Sequence, residues 1–298
     1  MHRSLPSKNV SGFPLRAVLG LFKLRIGLVI TFTALAGLAV SSGPRLSLTQ
    51  LAVLTLSVLV SSASAGAFNQ YYEFDSDHLM ARTRQRPFVT GELQHHPAWL
   101  LLIAGLLLAS VASAWLALNA WAALFVFLGA FFYAIVYTVW LKRRTWLNIV
   151  FGGLAGSWAV LAGATAADPA IGVVPLTLAL VLFLWTPPHF WSLAIACRDD
   201  YAAAGVPMLP VVVGDRKAAE TIFYSTLLLV AASLLPLAFG LGPIYLAGAA
   251  TGGCLFLVKA WRLSREPTRQ TAMSCFHASL IQLTLVLVAA VVDSQLRF

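Results

Sequence analysis

The chain has 298 residues, of which 59% are hydrophobic and only 10% charged, with a mean hydropathy of +0.83. A soluble domain carries about 25% charged residues, so a soluble globular protein is excluded and an all-α, polytopic membrane protein is expected. The net charge of +9 reads as membrane topology and not as nucleic-acid binding, because Lys and Arg collect on the cytoplasmic side of a bilayer.

Residues 1–21 form a basic N-terminal segment, expected to be cytoplasmic. With Lys23 and Arg25 it leads into the apolar run Ile26–Val40. Ala34-Leu35-Ala36 has the form of a signal cleavage site, but the apolar run continues past it, so a retained first helix is expected. Stretches of spanning length fall at 22–42, 48–70, 97–117, 120–140, 146–166, 173–196, 219–240, 243–263 and 272–292. They predict nine helices in one domain over residues 22–298.

The basic residues test this division. Eighteen of the twenty Lys and Arg lie before helix 1 or in the even-to-odd connections, leaving only Arg45 and Arg297 on the other side. One missing helix would scramble that alternation. The positive-inside rule then puts the N-terminus and the even-to-odd loops in the cytoplasm, and for a bacterial chain the membrane is the inner one. Cys197, Cys254 and Cys275 form no CxxC pair, so no zinc site or disulfide framework is expected.

Two cytoplasmic loops, Glu73–His96 and Cys197–Ala218, hold seven of the eleven acids. They follow helices 2 and 6, the offset that a duplicated four-helix unit would give. If two such units face each other, the acidic loops converge. Asn69, Glu73 and Asp77 are spaced i, i+4, i+8, so a helix continued past Phe68 puts them on one face, with Asp75 pointing elsewhere. Acids beside a membrane helix are costly unless they meet water, a cation or a ligand. Charge alone leaves a solvated loop equally open.

The sixth span carries Trp185-Thr186-Pro187-Pro188-His189-Phe190-Trp191. The two prolines remove N–H donors and are expected to kink the helix, with His189 at the break. After it come Arg198, Asp199, Asp200 and Tyr201. Adjacent carboxylates do not share a helical face, so one of the pair points at the site. Carboxylates hold Mg²⁺ through oxygen, Mg²⁺ bridges to phosphate oxygens, and Arg supplies forked donors to the same group. A lipid diphosphate fits this pattern. Intramembrane carboxylates also suit a transporter, but here they cluster at one membrane face.

Asn69-Gln70-x-x-Glu73-x-x-x-Asp77 resembles the first aspartate-rich motif of the UbiA-type intramembrane prenyltransferases. Tyr71, Asp75, Met80, Arg82, Thr83, Arg86, Pro87 and Gly91 extend the resemblance to the haem O synthase branch. So do Trp185–Ile195, Asp200-Tyr201, Ala204–Val212 with Gly214, and Leu141-Lys142-Arg143 with Asn148-Ile149-Val150. Lys23-Leu24-Arg25 is similar to that branch's Lys-Pro-Arg. Glu73 stands where the superfamily usually has Asp, Ala204 where the second motif often has its last Asp, and Ala159-Val160 where many members have Pro-Pro.

The resemblance implies nine helices around a central cavity opening to the cytoplasmic side. It implies transfer of farnesyl from farnesyl diphosphate to a vinyl group of haem B, with water added. Asn69, Glu73 and Asp77 would hold Mg²⁺ and diphosphate, with Asp200 and Asp199 opposite. Arg82, Arg86, Lys142 and Arg143 would contact diphosphate. Tyr201 would line the substrate site, and His189 would lie near the porphyrin, on its iron in one arrangement. Expected partners are the lipid bilayer and, downstream, haem A synthase or terminal-oxidase assembly factors. The alternatives are prenylation of a quinone-precursor ring and, in another class, a transporter or non-catalytic haem-handling protein.

Overall fold

The structure, a computed structural model, describes residues 15–296. Arg3, Lys8 and Arg297 of the charge count lie outside the described residues. Within them the chain is helical: α1 (Leu15–Leu21), α2 (Leu24–Ala39), α3 (Leu48–Tyr72), α4 (Phe74–Asp77), α5 (Pro87–Thr90), α6 (Ala98–Ala117) and α7 (Ala120–Phe131) come first. A π-helical segment, Phe132–Leu141, continues α7. Then follow α8 (Asn148–Gly152), α9 (Leu154–Ala167), α10 (Val173–Ala196), α11 (Arg198–Ala203), α12 (Leu209–Val213), α13 (Asp215–Ala232), α14 (Leu235–Ala238), α15 (Pro243–Arg265) and α16 (Arg269–Leu296).

Among the described residues, eight helices are long and apolar enough to cross a membrane, and α1 with α2 makes a ninth span bent by 45°. The bend falls at Lys23, a left-handed residue at φ 48°. Side-chain caps start several helices where the short connections turn. Ser47 and Gln50 form a reciprocal capping box on α3, and Asn119 Oδ1 accepts from Ala122 N on α7. At the far end of α16, the buried Asp293 carboxylate accepts from Gly242, Ile244 and Tyr245 N–H at the start of α15. Asp293 is thus a structural acid.

Neighbouring spans pack in sequence, and α16 closes against α2. The α2–α9 contact is the tightest place. A Cβ on Gly163 would lie 1.7 Å from Ala34 O, and one on Gly37 would lie 2.1 Å from Val160 O. In lipid, where apolar burial gives little drive, such close approach of small residues holds helices together.

Two local features differ from the sequence expectation. The fourth span is not one uniform α-helix: its second half has the i→i+5 pattern, where Thr138 Oγ1 also donates to Tyr133 O at 2.8 Å. And α10 runs uninterrupted through Pro187 and Pro188. The Thr186 and Ser192 hydroxyls donate back along this stretch to Leu182 O and Pro188 O.

At the end of the bundle where the acidic loops lie, a second apolar cluster joins Ala17 and Leu21 of α1 to Ala67 of α3 and Phe88 of α5. Phe88 follows Arg86 by two residues, so this cluster fixes the segment that carries that guanidinium.

Candidate active site

The helical spacing of Asn69, Glu73 and Asp77 survives the end of α3. Glu73 N donates to Asn69 O at 3.0 Å and Asp77 N to Glu73 O at 2.9 Å, so the i−4 ladder passes through the junction with α4. All three side chains are buried, whereas Asp75 is exposed.

Cations from three distant segments converge on this face. Lys142 Nζ donates to Glu73 Oε1. Arg86 Nη1 lies 2.5 Å from Asp77 Oδ2 and 3.5 Å from Glu73 Oε2, so one guanidinium spans both acids. Lys23 Nζ, delivered by the bend between α1 and α2, donates to Asn69 Oδ1 at 2.8 Å and to Tyr133 OH at 3.3 Å. Asn69 Nδ2 in turn donates to Thr138 Oγ1 at 3.2 Å. The π-helical segment therefore supplies Tyr133, Thr138 and, at its exit, Lys142 to one site.

The two acids titrate in opposite directions. Burial would push the Glu73 carboxyl up, but Lys142 beside it, with Arg86, holds it below its ordinary value. Asp77 is raised: its burial outweighs the Arg86 guanidinium, and the neighbouring Glu73 charge adds to the rise.

The second acidic loop meets the first. Ala81 N donates to Asp200 Oδ1 at 3.2 Å, and Arg82 Nη2 lies 3.5 Å from Tyr201 OH with its guanidinium 5.9 Å from the Tyr201 ring. The convergence expected from the four-helix offset is therefore present. Asp199 and Arg143 are exposed and stand outside this network. His189 belongs to α10, eight residues before Cys197, which is about 12 Å down the axis from the helix end.

Beside the acids a cavity of about 680 Å³ is lined by Arg16, Lys23, Arg82 and Arg86, with Glu92 as its one carboxylate. The site carries more positive than negative groups, which suits a polyanion.

The donor set also fits a hard divalent cation. Asp77 Oδ1 is buried without a hydrogen-bond partner, a costly state for a carboxylate oxygen. It lies on the same helical face as the Glu73 carboxylate and the Asn69 amide, an all-oxygen set of the kind Mg²⁺ prefers. Among the described residues no three His, Cys, Asp or Glu converge as a complete metal cage. Mg²⁺ needs none, since it is commonly held by one or two carboxylates with phosphate and water completing the shell.

Sequence reasoning passed over Lys23, Tyr133 and Thr138 as site residues. Lys23 stood out only as part of the basic string Lys23-Leu24-Arg25. Tyr133 and Thr138 gave no signal, because an α-helical period does not align them with Lys142.

Comparison with known proteins agrees with this geometry. Residues 30–285 match the UbiA prenyltransferase family. Protoheme IX farnesyltransferase 2 of Paramagnetospirillum magneticum is 55% identical over 279 residues, covering 94% of this chain and 97% of the relative. Protoheme IX farnesyltransferase 1 of Cenarchaeum symbiosum is 40% identical, covering 95% and 97%. In fold, the chain superposes on a digeranylgeranylglyceryl phosphate synthase with a TM-score of 0.78 at 20% identity, covering 94% and 98%. It superposes on a UbiA homologue of Archaeoglobus fulgidus, solved bound to DMAPP and Mg²⁺, with a TM-score of 0.69 at 16% identity, covering 91% and 99%. The helical bundle, its acid cluster and these relatives place the chain as an integral membrane protein that belongs to the UbiA prenyltransferase family.

Proposed function

We propose that the protein transfers the farnesyl group of farnesyl diphosphate to a vinyl group of haem B, with addition of water, giving haem O and pyrophosphate. The observation that carries this reading is the buried Glu73–Asp77 pair, ringed by Lys142, Arg86 and Lys23 at the end of a membrane helix. The acceptor is assigned from the relatives, which are named protoheme IX farnesyltransferases.

Asn69, Glu73 and Asp77 would hold Mg²⁺, with Asp200 facing them from the second loop and Asp199 as its neighbour. When bound, that ion neutralises diphosphate oxygens and so eases departure of the leaving group. Arg82, Arg86 and Lys142 neutralise the remaining charge, with Arg143 at the rim. Lys142 and Arg86, which hold the two carboxylates here, would also reach a bound diphosphate, and Glu73 and Asp77 would then hold the metal. Tyr201 orients Arg82 through its hydroxyl. The farnesyl tail lies among the spans, away from water, where an allylic cation survives long enough to meet the vinyl group. A porphyrin vinyl is a π-nucleophile, and the ring spreads the charge left after attack.

The site faces the cytoplasm, the N-terminus lies on that side, and in a bacterium the membrane is the inner one, as the Lys and Arg distribution supports. Haem A synthase or terminal-oxidase assembly factors are the recipients we assign to the product.

The test is mass analysis of haems extracted after expression in a host lacking its own haem O synthase. Haem O is the expected product. Unmodified haem B together with a prenylated phenolic acid would reassign the acceptor to a quinone precursor.

A further inference from the structure

Below the acid cluster, α10 and α16 share a second polar junction. His189 is 6% exposed. Its ring is stacked between Trp185, at 4.0 Å, and Phe276, at 4.5 Å, and Phe190 meets it edge-on at 4.9 Å. His189 Nδ1 lies 2.6 Å from Ser279 Oγ. Ser279 has a single proton, and its hydroxyl donates to Phe276 O at 2.6 Å, an oxygen that only accepts. The proton of the His189–Ser279 bond therefore comes from the imidazole. Nδ1–H donates to Ser279 Oγ, and Nε2 keeps its lone pair. No hydrogen-bond partner meets Nε2 among the described residues. Trp185 Nε1 donates to Ser279 O at 2.8 Å, so α10 is fixed to this one serine at two points.

We infer that His189 Nε2 holds the water that completes the reaction and takes its proton, and that Ser279 is the positioning residue that sets the tautomer. This rests on the haem-farnesylation reading above. In that reaction the C1–O bond of farnesyl diphosphate breaks with its electron pair on oxygen. The terminal vinyl carbon bonds to C1, and the positive charge moves to the vinyl carbon beside the porphyrin ring. Water oxygen then bonds to that carbon, its surplus proton passes to Nε2, and the imidazolium returns the proton to solvent. Nothing is oxidised or reduced.

Trp185 and Phe276 cover the flat faces of the imidazole, which leaves its Nε2 edge as the way a ligand approaches. Without the base, the cation loses a proton from the neighbouring carbon and gives an alkene lighter than haem O by one water.

The experiment compares both haem products by mass in membranes supplied with haem B, farnesyl diphosphate and Mg²⁺. His189→Asn puts an amide N–H where Nδ1 stands, within reach of Ser279, and removes Nε2. It is expected to lower the alcohol-to-alkene ratio roughly 100-fold, the usual scale of general-base assistance. Ser279→Ala frees the ring and is expected to lower the ratio about tenfold, while Ser279→Thr, which keeps the hydroxyl, restores it. A His189→Asn protein that forms alcohol and alkene in the unaltered ratio, at whatever total rate, overturns the inference. So does loss of both products in all three variants, which would make the junction purely structural. If the unaltered protein itself leaves haem untouched while prenylating another ring, the functional reading fails first.

Discussion

Lys142 Nζ meets Glu73 Oε1 across 69 residues of chain, in a contact where both side chains are buried. Removing one member of a buried pair strands the other charge, which costs about 3–5 kcal/mol. Lys142→Met should therefore lower the thermal stability of the detergent-solubilised protein by that order. The double variant E73Q/K142M should recover most of the loss, because neither charge is then left alone. Pyrophosphate release should stay low in both. A Lys142→Met protein as stable as the unaltered one would show that the pair carries no such weight.

Asp77 differs from Glu73 in having one oxygen, Oδ1, with nothing to bond. Asp77→Asn keeps the side-chain shape but removes the charge needed for a divalent cation. Mg²⁺-dependent pyrophosphate release should fall roughly a hundredfold or more, the equivalent of several kcal/mol of charge stabilisation. Stability should also fall, because the Arg86 guanidinium loses the carboxylate 2.5 Å away and keeps only Glu73 at 3.5 Å, so release is compared per folded protein. Undiminished release, measured against Mg²⁺ concentration, would remove Asp77 from the metal site.

Lys23 combines a strained backbone with a working amine. Its φ of 48° is left-handed, a region that costs a residue with a Cβ about 1–2 kcal/mol and glycine almost nothing. Lys23→Ala and Lys23→Gly both delete the bond to Asn69, but only the second relieves the backbone. The KM for farnesyl diphosphate should rise about tenfold in each, as expected for loss of one charge-assisted contact. The glycine variant should unfold at the higher temperature. Equal thermal stability of the two would mean that the bend does not rest on residue 23.

Gly163 and Gly37 set the distance between α2 and α9. At 1.7 Å from Ala34 O, a methyl group at position 163 meets backbone that cannot rotate away. Gly163→Ala should destabilise the protein by about 1–3 kcal/mol, the range for overpacking. Gly105 of α6, which has nothing within 4 Å of a Cβ, is the control: Gly105→Ala should be neutral or slightly stabilising, since alanine is the better helix former. Melting temperatures of the two variants, side by side, check this.

Much of the bundle could be read from local features. Runs of apolar residues located the spans because a bilayer demands about twenty of them in succession, and the alternation of Lys and Arg fixed the count. The face shared by Asn69, Glu73 and Asp77 followed from helical geometry, and the backbone bonds of Glu73 and Asp77 preserve it. Asp75 pointed away for the same reason. The strings around Arg82 and His189 carried the family resemblance that the comparisons bear out.

What the sequence by itself determined was therefore periodic or compositional: nine apolar spans, an acidic helix face, and the grouping of the charged loops. Only the tertiary structure decided which cation meets which acid, because Lys23, Arg86 and Lys142 come from segments that no local rule brings together. It also decided that the fourth span turns π-helical and so presents Tyr133, Thr138 and Lys142 to one site, a register an α-helical period would not give. And it decided that His189 gives Nδ1 to Ser279 and keeps Nε2 free. A tautomer depends on where one proton goes between two helices, and that is settled by packing.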